Sequence, residues 1–162
     1  MVLAAILSSP PDLAGPPDLA GPPDLAGYAV EDQVGFLLRR AHQRHSAIFL
    51  DAMAPLDLTP TQFTALIKTV ELGRVTQNHL GRLTAMDPAT IQGVVRRLFD
   101  RGLVLRELDP LDRRTTVLVP TREGIALATR AVGPARAITE ATLAPLAMAE
   151  RAHLVALLRR LG

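Results

Sequence analysis

The 162-residue chain contains no cysteine and no tryptophan, and aromatic side chains make up only 3% of it. Without cysteine there is no disulfide, no thiolate zinc site and no thiol-based redox sensor. With so few aromatics, the 48% of residues that are apolar must form a core of Leu, Ala and Val, a composition that favours helices over a β-sandwich. No apolar run reaches the ~18–20 residues of a membrane span. The apolar start, Met1 to Ser9, lacks a basic flank and a small-residue cleavage site, so a cytoplasmic protein with no membrane partner is expected. No G-x-S-x-G, Walker, H-E-x-x-H or paired-carboxylate pattern occurs, and neither an enzyme nor a cofactor is expected.

Acid is scarce in one particular stretch. The whole chain carries a formal charge of +2. Between Arg74 and Arg122, however, nine arginines face five carboxylates, which leaves +4 there and a slightly acidic remainder. A local excess of this kind is the footprint of a polyanion partner.

Residues 10–27 are three tandem copies of PPDLAG. Two prolines and a glycine per repeat prevent a continuous helix, and one Leu per repeat cannot offset the entropy of ordering it. Residues 1–30 are therefore expected to form a flexible, extended tail ahead of a domain spanning 31–162.

Within that domain Val34, Leu38, Ala41, His45, Ile48 and Ala52 form one stripe along a long helix that Pro55 stops. Thr59, Pro60 and Gln62 are a capping box with proline in first position, flanked by the staple pair Leu58 and Phe63. This second helix is expected to end at Gly73. Thr76 caps a short third helix, Thr84-Ala85-Met86 is a turn, and Asp87 with Pro88 starts a fourth that Gly102 ends. Leu103–Leu108 and Thr115–Val119 read as two strands joined by Asp109–Arg114. Thr121 caps a fifth helix that Gly133-Pro134 should kink or break. A last helix should run from about Ala147 to Leu161, with Arg151, Arg159 and Arg160 in solvent. The fold class is thus mainly α with a small β-wing. It is a winged helix-turn-helix over 58–120, flanked by helices at 31–54 and 122–162 suited to dimerisation.

The fourth helix buries Ile91, Val94 or Val95, and Leu98, and turns Ala89, Thr90, Gln92, Gly93, Arg96 and Arg97 outward. Small and amide side chains suit close approach to base edges in double-stranded DNA, with Gln matching adenine and small groups admitting thymine methyls. Arg96, Arg97 and Arg101 are placed for phosphates. At the hairpin tip Asp112 and Arg114 lie two residues apart, so the carboxylate is expected to orient the guanidinium. With Arg113, they make a thin basic wing of minor-groove dimensions.

The stretches LTPTQFTAL, TQNHLGRLTAMDPATIQGVVRRLFDRGLV and DPLDRRTTVLVPTREG resemble the MarR family of bacterial transcriptional regulators, over about Glu31 to Leu161. The last is similar to the family's wing signature, an Asp-x-Arg followed by a strand and a Thr-x-x-Gly helix start. The resemblance implies a homodimer in which the first, fifth and sixth helices intertwine, and binding to a palindromic operator, usually as a repressor. It places Asp112 and Arg114 on the wing and Ala89, Thr90, Gln92 and Gly93 at base-facing positions. At Gly93 relatives often carry a longer, frequently basic residue, and this chain departs from them.

The resemblance also implies a small aromatic-acid or phenolic effector, bound between the first two helices, the dimer arm and the DNA-binding lobe. The stretch LGRLTAMDPATIQGVVRRL is similar to regulators of aromatic-acid catabolism. Phe36, Arg40, Arg44, His45 and Phe63, with Phe49 near, would suit a carboxylate on an aromatic ring. Alternatively His45 is a satisfied core histidine and both arginines are paired. A metal would need His42 and His45 to be joined by ligands from elsewhere, with only His79, His153 and acids to supply them, so no metal is expected. The rival to DNA binding is a winged-helix module that binds another protein, for which the arginine surplus has no use.

Overall fold

A computed structural model describes residues 27–161. The PPDLAG repeats, but for Gly27, lie outside the described residues. The chain forms six helices and one hairpin: α1 (Val34–Met53), α2 (Pro60–Leu72), α3 (Gln77–Leu83), α4 (Pro88–Asp100), β1 (Val104–Leu108), β2 (Thr116–Pro120), α5 (Arg122–Leu143) and α6 (Met148–Leu161). Short 3-10 turns precede and follow α1.

Local chemistry sets the helix starts. Gln62 N–H donates to Thr59 Oγ1 at 3.3 Å, and Thr59 N–H donates back to Gln62 Oε1 at 3.2 Å. Thr76 accepts from His79 N–H, and Thr121 accepts from Gly124 N–H at 2.9 Å. Each cap satisfies a donor the helix cannot pair itself. At the other end of α4, Gly102 takes φ +67°, a conformation side chains resist. That lets the chain reverse with Leu103 N–H on Leu98 O.

The lobe from α2 to the hairpin packs around Leu66, Leu80, Ile91, Val95, Leu98 and Val104, each no more than 2% exposed. The hairpin is antiparallel, with Val104 opposite Pro120 and Leu108 opposite Thr116. Val75, between α2 and α3, adds a two-bond bridge to Leu118 that fastens the hairpin to the helices. Nothing in the local pattern signals that long-range pairing.

Two expectations change. Helix α5 runs unbroken through Pro134. Proline removes one N–H, yet Ala135 and Ile138 just beyond it pack into the core, and Arg44 of α1 ties down the end of the helix at the carbonyls of Ala141 and Thr142. Arg151 is not a solvent residue: it donates to Glu140 Oε2 at 3.0 Å and to Leu146 O at 3.0 Å, bracing the elbow between α5 and α6. The stripe on α1 is left open in its first half, and its second half, His45, Ile48 and Ala52, is half-buried. Phe49 and Met53 are buried, whereas Val34, Leu38 and Ala41 lie open.

Helix α6 leaves α5 at 106° and has no buried residue. Leu157, Leu158, Leu161 and Met148 are exposed on it. Among the described residues no single helix is long and apolar enough to cross a membrane.

Candidate nucleic-acid interface

Helix α4 is strongly two-faced. Ile91, Val94, Val95 and Leu98 are all at most 3% exposed, both valines included. Ala89, Thr90, Gln92, Arg96 and Arg97 are exposed and Gly93 is half-exposed. Asp87 Oδ1 accepts the N–H groups of Ala89 and Thr90, both at 2.9 Å, and Oδ2 accepts the Thr90 hydroxyl at 2.5 Å. These bonds, the Thr90 hydroxyl first, hold the Asp87 carboxyl below its usual value. Two of the N–H groups at this helix start are thus occupied, and the Thr90 hydroxyl is turned to the Asp87 carboxylate.

The arginines of the segment divide by what they touch. Arg74 pairs with Glu107 at 2.7 Å. Arg106 lies over the Phe99 ring at 5.7 Å. Arg101, expected at a phosphate, instead donates to the carbonyls of Asp57 and Leu56, with the Asp57 carboxylate 3.8 Å away. Asp57 sits at φ +49° in the corner between α1 and α2, and Arg101 satisfies the carbonyls that this corner leaves over. The side chains of Arg82, Arg96, Arg97, Arg113, Arg114 and Arg122 have no hydrogen-bond or ion-pair partner among the described residues.

The wing tip corrects one expectation. Asp112 does not grip the Arg114 guanidinium. Its Oδ1 accepts the backbone N–H of Arg114 at 3.0 Å, and its Oδ2 accepts the Thr115 hydroxyl at 2.8 Å. Asp109 repeats the device on Leu111 N–H, and its own N–H donates to Thr115 O, both at 2.8 Å. Two aspartate turns therefore shape the backbone, and the Arg113 and Arg114 side chains project from it exposed.

The Arg114 N–H and then the Thr115 hydroxyl lower the Asp112 pKa from its ordinary 3.8. A carboxyl depressed on folding contributes its full ordering effect above the ordinary value and loses it as pH falls through the depressed one. The wing tip should accordingly keep its order at every pH above 3.8 and lose it only in stronger acid. Amide exchange at Arg114, followed down a pH series, checks this. Loss of protection near neutral pH would contradict it.

Sequence reasoning missed a cleft between α4 and the wing, lined by Gln77, Gln92, Arg106, Thr116 and Leu118 and of about 400 Å³. Gln92 thus leans toward the wing. A second cleft, of about 210 Å³, lies between α1, α2 and α5 and is lined by His45, Phe49, Phe63, Pro60 and Thr64 with Ile138 and its neighbours. It brings together His45 and Phe63 of the five residues expected at an effector. Phe36 and Arg40 do not line it: Phe36 lies under the guanidinium groups of Arg39 and Arg40 at 5.2 and 5.9 Å. Arg44 is committed to the carbonyls of Thr142 and Ala141, at 2.6 and 2.9 Å. His45 Nδ1 is 3.0 Å from Thr142 Oγ1. His42 bonds Ser46 instead of joining His45, and no three His, Asp or Glu side chains converge among the described residues.

A short third helix, a tight turn, a two-faced fourth helix and a basic hairpin define a winged helix-turn-helix transcriptional regulator, a DNA-binding and non-enzymatic class. Residues 56–115 match the model of the MarR family. Along its length the chain is 41% identical over 134 residues to the transcriptional repressor NicR of Pseudomonas putida, covering 83% of this chain and 85% of that one. A probable transcriptional regulator from Pseudomonas aeruginosa superposes with a TM-score of 0.80 at 46% identity, over 83% of this chain and all of the other. BpsR of Bordetella bronchiseptica, whose DNA binding is regulated by 6-hydroxynicotinic acid, gives 0.79 at 40%, over 83% and 96%. The chain belongs to the MarR family.

Proposed function

We propose that the protein is a homodimeric repressor of a palindromic operator, acting in the cytoplasm, and that a small aromatic acid in the His45 cleft releases it. The observation that carries the DNA reading is the exposure of Arg96, Arg97, Arg113 and Arg114 without internal partners, on a helix and a wing set side by side. Phosphates are the partners such a surface lacks. A duplex enriched from a random DNA pool should bind with an affinity that falls steeply with salt, by a log–log slope of about −0.9 per phosphate contacted. A flat response would instead favour a protein partner.

Dimerisation is supported by what the single chain leaves open. The first half of α1 and the leucines of α6 form apolar faces that no other element covers among the described residues. One lobe alone offers few contacts, whereas two half-sites read together multiply affinity. The proposed arrangement makes 31–54 and 122–161 the pairing helices and 58–120 the reading lobe.

The effector reading rests on the chemistry of the smaller cleft. Its volume of about 210 Å³ lies below the ~300–1,000 Å³ of drug-sized sites, which favours a single ring. Phe49 and Phe63 meet edge to face at 5.8 Å and form its aromatic wall. The Thr64 and Thr139 hydroxyls donate to Pro60 O and Ala135 O. With Nδ1 on Thr142, His45 keeps Nε2 for a carboxylate. By the likeness to BpsR, 6-hydroxynicotinic acid is the first compound to try. It should raise the melting temperature and weaken DNA binding. His45→Ala should leave DNA binding intact and weaken that response about tenfold or more, the worth of one hydrogen bond to a charged group. An unchanged response would move the effector elsewhere.

A further inference from the structure

We propose that Gly93 is a notch that takes the C5-methyl group of a thymine, so that this row of α4 reads its base by shape and not by hydrogen bonds. The inference rests on the reading of α4 as the groove-facing helix and names what that helix recognises.

Glycine inside a helix is unfavourable, and Gly93 stands mid-way along α4. The chain itself gives no reason for it. A Cβ added at Gly93 would meet nothing within 4 Å. By contrast, a Cβ at Gly81 would press on Ile91 Cγ2 at 3.2 Å and on Met86 O at 3.3 Å. Gly35 and Gly133 are also open, but Gly35 lies in the first turn of α1, and Gly133 precedes Pro134, where a side chain crowds the ring. At Gly93 neither reason applies, and the missing side chain lies on the outer side of α4 amid Ala89, Thr90, Arg96 and Arg97.

The neighbours of the notch decide what fits it. On a helix the residues three and four away share its face: Ala89, Thr90, Arg96 and Arg97. Ala89 offers a methyl. Thr90 offers a methyl as well, because its hydroxyl is held by Asp87 at 2.5 Å. The two arginines are long enough for the backbone. Gln92, the one amide on the outer face, lines the cleft on the wing side with Gln77 and Thr116. The patch around Gly93 therefore has methyl groups and bare helix backbone whose N–H and C=O groups are already paired. Among the groups on major-groove base edges, the thymine methyl is the apolar one. A bare glycine brings the helix axis a side chain closer, so that this methyl can be enclosed.

The test uses the full-length protein and a site enriched by the wild type from random duplex DNA. Replacing thymine by deoxyuridine, one symmetric pair at a time, removes the methyl and leaves base pairing unchanged. One pair should lower wild-type affinity about fourfold per half-site, the effect of a buried methyl-sized group. Gly93→Ala should raise the melting temperature by about 2–4 °C yet bind the thymine site about tenfold more weakly, by overpacking. On the uracil site Gly93→Ala should regain affinity, since its methyl fills the vacated space. A site insensitive to uracil at every position, or a Gly93→Ala protein that binds as the wild type does, overturns the notch alone. A wild type that enriches no sequence overturns the underlying DNA reading with it.

Discussion

An Arg114→Ala protein is expected to bind its operator about 100-fold more weakly than the wild type, with unchanged melting temperature and mass in solution. Arg114 is exposed and its side chain makes no hydrogen bond or ion pair among the described residues, so its removal should cost the fold little. On DNA a hydrogen bond to a charged group contributes about 1.5–3 kcal/mol, and a dimer has two wings, which gives ~3 kcal/mol or more, about 100-fold. The log–log salt slope should also become shallower by about 1.8 if each guanidinium neutralises one phosphate. Asp112→Ala separates charge from shape. It keeps both tip arginines, so the salt slope should hold while affinity falls through a loosened tip. Filter binding over a salt series distinguishes the two variants, and normal affinity for Arg114→Ala would remove the wing from the interface.

The second large effect lies away from any DNA. Gly124→Ala should destabilise the protein by about 3 kcal/mol, or roughly 6–12 °C in melting temperature for a chain of this size. A Cβ at Gly124 would stand 2.0 Å from Leu103 O. That oxygen cannot simply turn aside, because it also accepts Thr121 N–H at 3.1 Å. The Thr121 hydroxyl meanwhile donates to Gly102 O at 2.7 Å. The end of α4, the root of the wing and the start of α5 thus meet at one knot of backbone, closed by the Thr-x-x-Gly sequence. Calorimetry checks the effect. An unshifted transition would mean that Leu103 can retreat freely.

What was legible in the sequence was what is decided within one turn of chain. Thr59, Thr76, Asp87 and Thr121 cap helices where their spacing says they should, because a cap needs only its own next three residues. Features that depend on distant partners were not legible. Nothing near Arg101 announces Asp57, forty-four residues earlier, and nothing near Val75 announces Leu118. Pro134 misled for the same reason: its local cost is visible, and the packing of Ala135 and Ile138 that outweighs it is not. At the wing, Asp112 and Arg114 meet as their spacing suggests, but through the Arg114 N–H and not its guanidinium. Aspartate commonly takes the backbone N–H two residues on, which was available as a signal. In the smaller cleft, helical periodicity put His45 on the inner face, but it could not separate Arg44, turned to the end of α5, from residues facing the ring wall.

The link between Arg101 and the Asp57 corner has a mechanical meaning. It bolts the trailing end of α4 to the bend where α1 gives way to α2. A helix fastened there moves with that bend. In the proposed dimer, a pull transmitted along α1 would swing the lobe as a whole, as turning a calliper arm moves its jaw without reshaping it. In a dimer the adjustable quantity is then the gap between two jaws. An effector that acts this way alters which half-site separation is gripped and leaves the letters of each half-site as they were.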